Sequence, residues 1–260
     1  MSAPTDPGAL PGDPAGGATT VVVHPDAATL AEAAAARLVV ALLDAQAARG
    51  EAALVLTGGS VAAHVYGALA RHRARTAVDW SRVDLWWGDE RFLPAGHPDR
   101  NETQARAALL DGLPLDPGRV HAMPASDGPD GEDPEAAAAR YAAALAAAGG
   151  GRLPRFDVVL LGIGPDAHVA SVFPDHPLDA GLTVSAVRDS PKPPPTRITL
   201  TLPTLNTADE VWLIVAGREK AGAVGLARSG ASAAKAPAGA VHGRVRTRWL
   251  LDRDAAAELR

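Results

Sequence analysis

Residues 156–174 read FDVVLLGIGPDAHVASVFP, and the reading of this stretch decides the fold class. Val158–Leu161 is an unbroken apolar run, the pattern of a strand buried on both faces. Gly162, Gly164 and Pro165 end it abruptly and let backbone come close to a ligand. Asp166 and His168 follow, with Ser171 and Phe173 behind them. Open α/β sheets bind ligands at the carboxyl ends of their strands, and there a carboxylate and an imidazole two residues apart form a candidate catalytic pair. An isolated D-x-H would be read as a capping Asp and a His resting on a carbonyl. The glycine punctuation and the motifs elsewhere in the chain reverse that preference.

Working outward, the same alternation recurs. Thr20–Val23 reads as a strand, and 26–49 as a long helix capped by Asp26 and ended by Gly50. Ala52–Leu56 is a second buried run. Val83–Trp87, 182–187, Thr196–Leu202, Val211–Val215 and Thr247–Leu251 complete the strands. Helical segments are expected from Val61 to His72, from Asp99 to Leu110 with Asp99 as cap, over 134–148 with Pro134 at its first position, around Lys220, and over 254–259. Residues 203–206 read as a turn, and 111–133 and 236–239 as loop. Strands alternating with helices predict an α/β fold: a mostly parallel, doubly wound sheet with helices on both faces. Residues 1–18, nearly all Ala, Gly, Pro, Ser, Thr and Asp, are expected to be a disordered tail, and 19–260 a single domain.

Composition narrows the function classes. The chain has 260 residues, 47% of them hydrophobic and 21% charged, an ordinary globular balance with ample material for a core. A net charge of −5 gives no reason to expect a nucleic-acid partner. There is no cysteine, which removes disulfides and thiolate metal sites. No apolar run approaches the roughly 20 residues that span a bilayer, so no membrane association is expected. With no basic and apolar leader at the N-terminus, the expected location is cytoplasmic.

Three further strand ends carry chemistry-bearing residues. Thr57-Gly58-Gly59-Ser60 joins a buried strand to a helix. Free amides there, the helix dipole and the Ser60 hydroxyl would suit a phosphate. The same residues would also serve as a tight turn with Ser60 as N-cap. Neither the Walker pattern nor G-x-G-x-x-G is present. Gly88-Asp89-Glu90-Arg91 ends the VDLWW strand, either as a solvated loop or with Asp89 and Arg91 aimed into a cleft. Ser190-Pro191-Lys192-Pro193-Pro194-Pro195 is too proline-rich for helix or central strand, and its stiffness would hold Lys192 in place. Arg197 opens the strand that follows.

LTGGS at 56–60, WGDERFLP at 87–94 with Asn101 after it, FDVVLLGIGPDAHVASVFP at 156–174 and SPKPPPTRITLTLPTLN at 190–206 together resemble the glucosamine-6-phosphate isomerase/6-phosphogluconolactonase family. VAGREKA at 215–221 and the WLLDRDAA ending extend the resemblance over nearly the whole chain from about residue 20. The Pro-rich lysine segment resembles the lactonase branch. That resemblance implies hydrolysis of 6-phospho-D-glucono-1,5-lactone to 6-phosphogluconate, the second step of the oxidative pentose phosphate pathway. Catalytic roles are then expected for His168, Asp166, Arg91 and Asp89. His168 would be the general base, because imidazole titrates near neutrality and a nearby helix N-terminus would keep it neutral. Asp166 would orient the imidazole or hold the water, Arg91 would serve the oxyanion or the phosphate, and Asp89 would fix Arg91. Phosphate binding is expected from Gly58, Gly59, Ser60, Lys192, Arg197 and Lys220. No cofactor and no metal are expected, since the histidines show no ligand spacing such as H-E-x-x-H. The partner is a small phosphosugar lactone, and the chain is expected to be a monomer or weak homo-oligomer.

Two departures from the family pattern are visible. Asp166-Ala167-His168-Val169 stands where the family has D-G-H-T, and Val61-Ala62 where it often has Thr-Pro. If the residue at 167 is left-handed, alanine costs on the order of 1 kcal/mol there. A phosphosugar isomerase or deaminase using Asp89 and His168, and a non-catalytic phosphosugar sensor, are the alternative functions. The GDER and Pro-rich lysine segments weigh against the first, and the lack of a basic helix-turn-helix against the second.

Overall fold

The structure is a computed structural model that describes residues 16–259. In chain order its elements are β1 (Ala18–His24), α1 (Ala27–Arg49), β2 (Ala52–Leu56), α2 (Ser60–Arg71), β3 (Val83–Trp87), β4 (Asp89–Arg91), α3 (Asn101–Ala108) and α4 (Pro134–Ala148). Then follow β5 (Val158–Leu161), β6 (Val184–Val187), β7 (Arg197–Leu200), α5 (Leu202–Leu205), β8 (Glu210–Val215), α6 (Ala221–Arg228), α7 (Pro237–Ala240) and β9 (Arg246–Asp252).

Six strands form the sheet foreseen from the sequence, in the order β1-β9-β8-β5-β2-β3 with every pairing parallel. β5 lies inside it, and all four of its residues are buried, which is why its sequence shows no polar alternation. From β2 the chain moves outward to β3. From β5 it moves the other way, through β8 to β9. The order therefore reverses between β2 and β5, where the diverging connections leave a crevice at the strands' carboxyl ends.

The helices follow from local signals. Asp26 accepts the Thr29 amide at 2.7 Å and starts α1, and Gly50, at φ 79°, ends it in the left-handed region. Leu30, Ala34, Leu38 and Leu42 of α1 recur every fourth residue on its buried side, beside Ala31, Ala35 and Val39. From α4, Tyr141 donates and accepts at the end of β3: its hydroxyl is 2.9 Å from the Trp87 amide.

The pattern did not disclose a second sheet. β4, β7 and β6 pair antiparallel, in that order. Gly88 is the junction: its amide donates to Leu56 in the first sheet, and its carbonyl accepts from Leu200 in the second. One residue after β3 ends, the chain has changed partners, and this turns GDER out of the main sheet and across the crevice.

Several expected boundaries are corrected. β1 begins at Ala18, inside the stretch expected to be tail, and the Gly17 amide already bonds Gly243; the rest of the tail expectation, residues 1–15, lies outside the described residues. The strand expected over 182–187 begins at Val184, and the one expected over 196–202 is confined to Arg197–Leu200. The helix expected over 254–259 is absent, 254–258 being turns with Asp252 accepting the Ala255 amide, whereas 202–205 and 237–240 are short helices with proline in the first turn. α3 is not capped by Asp99. The buried Glu90 carboxylate takes the amides of Asn101 at 2.6 Å and Glu102 at 2.9 Å. No helix opens after β5, where Pro165 and Asp166 form a turn, so the helix start that shares a recess with His168 is that of α2, at Gly59.

Candidate active site

Four connections meet over the β2/β5 crevice: 57–60 after β2, 88–101 after β3, 162–173 after β5, and 190–197 leading into β7. They enclose two adjoining recesses that share Thr57, Gly58, Gly59, Gly162 and Ile163. One, of about 130 Å³, is lined also by Asp89, Arg91, Asn101, His168 and Arg197. The other, of about 110 Å³, is lined also by Ser60 and Lys220.

The Gly58–Ser60 loop is fixed at both ends. Tyr66 of α2 accepts the Thr57 amide at 3.1 Å and donates to the Thr57 carbonyl at 2.7 Å. A Cβ on Gly58 would lie 1.8 Å from Asn101 Oδ1, so only glycine lets the loop rest on Asn101. Gly59 has φ 96°, and a Cβ there would meet nothing within 4 Å. Gly59 is the N-cap of α2 and Ser60 its first residue, without a side-chain capping bond. The reading of Ser60 as N-cap is therefore corrected, and the helix start presents backbone toward the recess.

His168 Nδ1 is 2.6 Å from Asp166 Oδ1. With Nδ1–H donated to the carboxylate, Nε2 keeps its lone pair. The imidazole packs on Phe173 at 4.6 Å between centroids, and the Arg197 guanidinium lies over the same phenyl ring at 5.7 Å. Lys192 Nζ joins the pair, 3.2 Å from Asp166 Oδ1 and 3.3 Å from His168 Nδ1. Desolvation pushes the Asp166 carboxyl up, but the His168 hydrogen bond and the charges of His168 and Lys192 outweigh it and hold the group well below the usual carboxylate range. The loop bends sharply to make this contact: Ala167 has φ 65° and Ala170 φ 48°. Position 167 is thus left-handed, the case in which alanine carries strain.

Arg197 is 5% exposed and spends most of its donors on backbone. Nε donates to Pro194, and Nη2 to the carbonyls of Lys192 and Pro193. Ser190 Oγ donates to the Lys192 carbonyl as well, at 3.0 Å. Arg197 thereby clamps the segment that carries Lys192, and Nη1 remains at 4.0 Å from Asp89 Oδ2. Burial lowers the Arg197 pKa, against the pull of Asp89. Asp89 does not fix Arg91, contrary to expectation. It accepts from Ser171 Oγ at 2.7 Å and faces Asn101 Nδ2 at 3.4 Å, while Arg91 Nη1 donates to the Asp99 carbonyl. Beneath this loop Glu90 is fully buried near Arg100, and burial pushes its carboxyl up to about 7 against the pull of Arg100 and three amides. Lys220 is lowered by burial first and by the charge of Lys192 second.

The structure thus brings Gly58, Gly59, Asp89, Arg91, His168 and Arg197 around one recess, and Gly58, Gly59, Ser60 and Lys220 around the other. Asp166 and Lys192 meet His168 at Nδ1. Thr57 and Asn101 also line the site, and Ser171 and Phe173 support it. The partners of Ser171 lie 28 and 82 positions away, so its neighbours in the chain do not show what it holds. Among the described residues no group of three or more His, Asp or Glu is placed to hold a metal ion, and no helix is long and apolar enough to cross a membrane.

Comparison with known proteins agrees with this architecture. The 6-phosphogluconolactonase of Streptomyces coelicolor is 59% identical over 245 residues, covering 92% of this chain and 94% of the relative. That of Mycobacterium tuberculosis is 49% identical, covering 93% and 98%. The solved structure of 6-phosphogluconolactonase from Trypanosoma brucei superposes with a TM-score of 0.79 at 29% identity, covering 93% of this chain and 99% of that one. Residues 25–249 match the family described as glucosamine-6-phosphate isomerases/6-phosphogluconolactonase, and with all four crevice connections and the dyad inside that span, the chain belongs to this family.

Proposed function

We propose that the protein is a 6-phosphogluconolactonase: it hydrolyses 6-phospho-D-glucono-1,5-lactone to 6-phosphogluconate, which makes it the second step of the oxidative pentose phosphate pathway. The observation that carries this reading is the His168–Asp166 pair, 2.6 Å apart, with the imidazole facing a recess continuous with a glycine loop at a helix start. Relatives 59% and 49% identical bear that name.

In this reading the phosphate rests on the Gly59–Ser60 amides with Lys220 beside it, and the lactone ring extends toward His168. His168 Nε2 takes a proton as water adds to the lactone carbonyl, while Asp166 holds Nδ1–H and compensates the imidazolium. Arg91 lines the recess that holds His168 and not the one that holds Lys220, which favours the oxyanion over the phosphate as its partner. The tetrahedral intermediate then collapses. The C1–O5 bond breaks, the imidazolium gives its proton to O5, and the product carboxyl ionises. Asp89, held by Ser171, Asn101 and Arg197, is a fixed acceptor for a sugar hydroxyl.

Purified protein should hydrolyse the phosphorylated lactone well above its spontaneous rate and leave glucosamine 6-phosphate unchanged in a coupled assay. The opposite preference would overturn the reading. Gly59→Val tests the phosphate end. A branched side chain is strained at the φ of 96° that Gly59 adopts, so the loop must shift and carry its amides with it. KM for the phosphorylated lactone should rise about tenfold or more, in line with loss of a few charge-assisted bonds. The unphosphorylated lactone should show little difference between wild type and variant. Equal damage to both substrates would place the phosphate elsewhere.

A further inference from the structure

Lys192 was expected at the phosphate, yet its ammonium lies 3.2 Å from Asp166 Oδ1, the oxygen that also receives His168 Nδ1–H, and 3.3 Å from Nδ1 itself. We infer that Lys192 is a positioning residue for the His168–Asp166 pair, its ammonium held against the carboxylate oxygen that orients the imidazole and standing as a like charge beside the imidazolium formed in reaction. The inference rests on the reading of His168 as the general base.

The geometry is built rather than incidental. Lys192 sits among prolines, its carbonyl is gripped by Ser190 Oγ and Arg197 Nη2, and its own amide donates to Ser190 Oγ at 3.3 Å. Arg197 is buried, so it orders this backbone instead of waving into solvent. The ammonium is thus delivered to one place at low entropic cost. Its charge acts on the dyad in two directions. Toward Asp166 it is an attraction that helps keep the carboxylate ionised. Toward the imidazole it is a like charge once Nε2 is protonated, and like charges at this range oppose protonation.

The other charged groups around the ring do not duplicate this role. Asp166, on the same loop, favours the imidazolium. Arg197 lies over the Phe173 ring and spends Nε and Nη2 on backbone carbonyls. Lys220 lines the other recess and feels both Lys192 and Asp166. Arg91 and Asp89 line the recess in front of the ring, Arg91 bonded to the Asp99 carbonyl and Asp89 to Ser171. Lys192 is the cation at Nδ1, so the two lysines divide the work: Lys220 at the phosphate, Lys192 at the dyad.

The test is the pH profile of kcat/KM for Lys192→Met, Lys192→Gln and Lys192→Arg on the phosphorylated and unphosphorylated lactones, with spontaneous hydrolysis subtracted. Removing the charge should move the acid limb upward, because a like charge beside Nδ1 opposes protonation of the ring. The rate at pH 6 should then fall about tenfold on both substrates, with KM nearly unchanged. Lys192→Arg keeps the charge and should restore most of the wild-type limb. An acid limb that stays in place, or a loss confined to KM of the phosphorylated substrate, overturns the assignment and returns Lys192 to the phosphate. Failure of the underlying base reading is separately visible, since it would show as wild-type kcat in a His168 variant whatever Lys192 does.

Discussion

His168→Asn should lower kcat by about 10²–10⁴-fold while leaving KM within a fewfold of wild type, the size and signature of losing a general base. Asparagine keeps polarity and near shape, and its amide can still reach Asp166, so the loop should stay folded. The pH profile sharpens the test. A base must be unprotonated to act, so wild-type kcat/KM should fall on the acid side. Desolvation raises the Asp166 carboxyl, but the hydrogen bond from His168 and the charges of His168 and Lys192 outweigh it and hold the group low. Asp166 therefore stays ionised throughout the working range and does not supply that limb. That limb should vanish in the variant. If His168 only props the loop, the outcome reverses: thermal stability drops, KM rises and kcat survives. A folded variant with near wild-type kcat would sink the assignment and leave Asp166 or Asp89 as the base.

Gly164→Ala should be almost as damaging, although it removes no functional group. A Cβ at this position would lie 2.0 Å from His168 Nδ1, 2.1 Å from Cε1 and 2.4 Å from Asp166 Oδ1, directly in the dyad's hydrogen bond. Real Cβ atoms do not approach so closely, so something must move. The obstacles are the ends of two side chains rather than backbone, and they can swing aside. The fold should therefore survive, with a melting temperature within a few degrees of wild type, while the imidazole loses its orienting carboxylate. A kcat loss of about 10²-fold or more is expected, with KM little affected. Circular dichroism and thermal melting establish folding, and steady-state kinetics give the split. Near wild-type turnover in Gly164→Ala would mean that the 2.6 Å contact is not needed for catalysis.

How much of this was legible beforehand depended on the range of the interaction. The apolar runs at 52–56, 158–161 and 211–215 read correctly as buried strands, and Val83–Trp87 as a strand, because burial on both faces leaves little room for polar alternation. The long helix from Asp26 to Gly50 was equally plain, since its cap and stop are local. Boundaries failed where a distant partner decides the ending. Val184–Val187 and Arg197–Leu200 are as long as their pairing with each other and with β4 allows, and that antiparallel sheet depends on Gly88 bonding Leu56 on one side and Leu200 on the other. Glu90 reads as one more charge in a polar loop, yet it is the buried cap of a helix that starts eleven residues later.

By itself, the sequence determined the α/β class, the strand ends where chemistry gathers, and the candidate residues His168, Asp166, Asp89, Arg91 and the Gly58–Ser60 loop. Periodicity, glycine punctuation and a family's motif are all local properties of a chain. Only the tertiary structure decided what each residue faces. It set Asp89 against Ser171 rather than Arg91, spent Arg197 on the carbonyls that position Lys192, brought Lys192 to the dyad, and gave Gly164 its reason in the space that His168 and Asp166 occupy. Those assignments join residues as far as 82 positions apart, and they are fixed by how two sheets and four loops pack around one crevice, which no local stretch encodes.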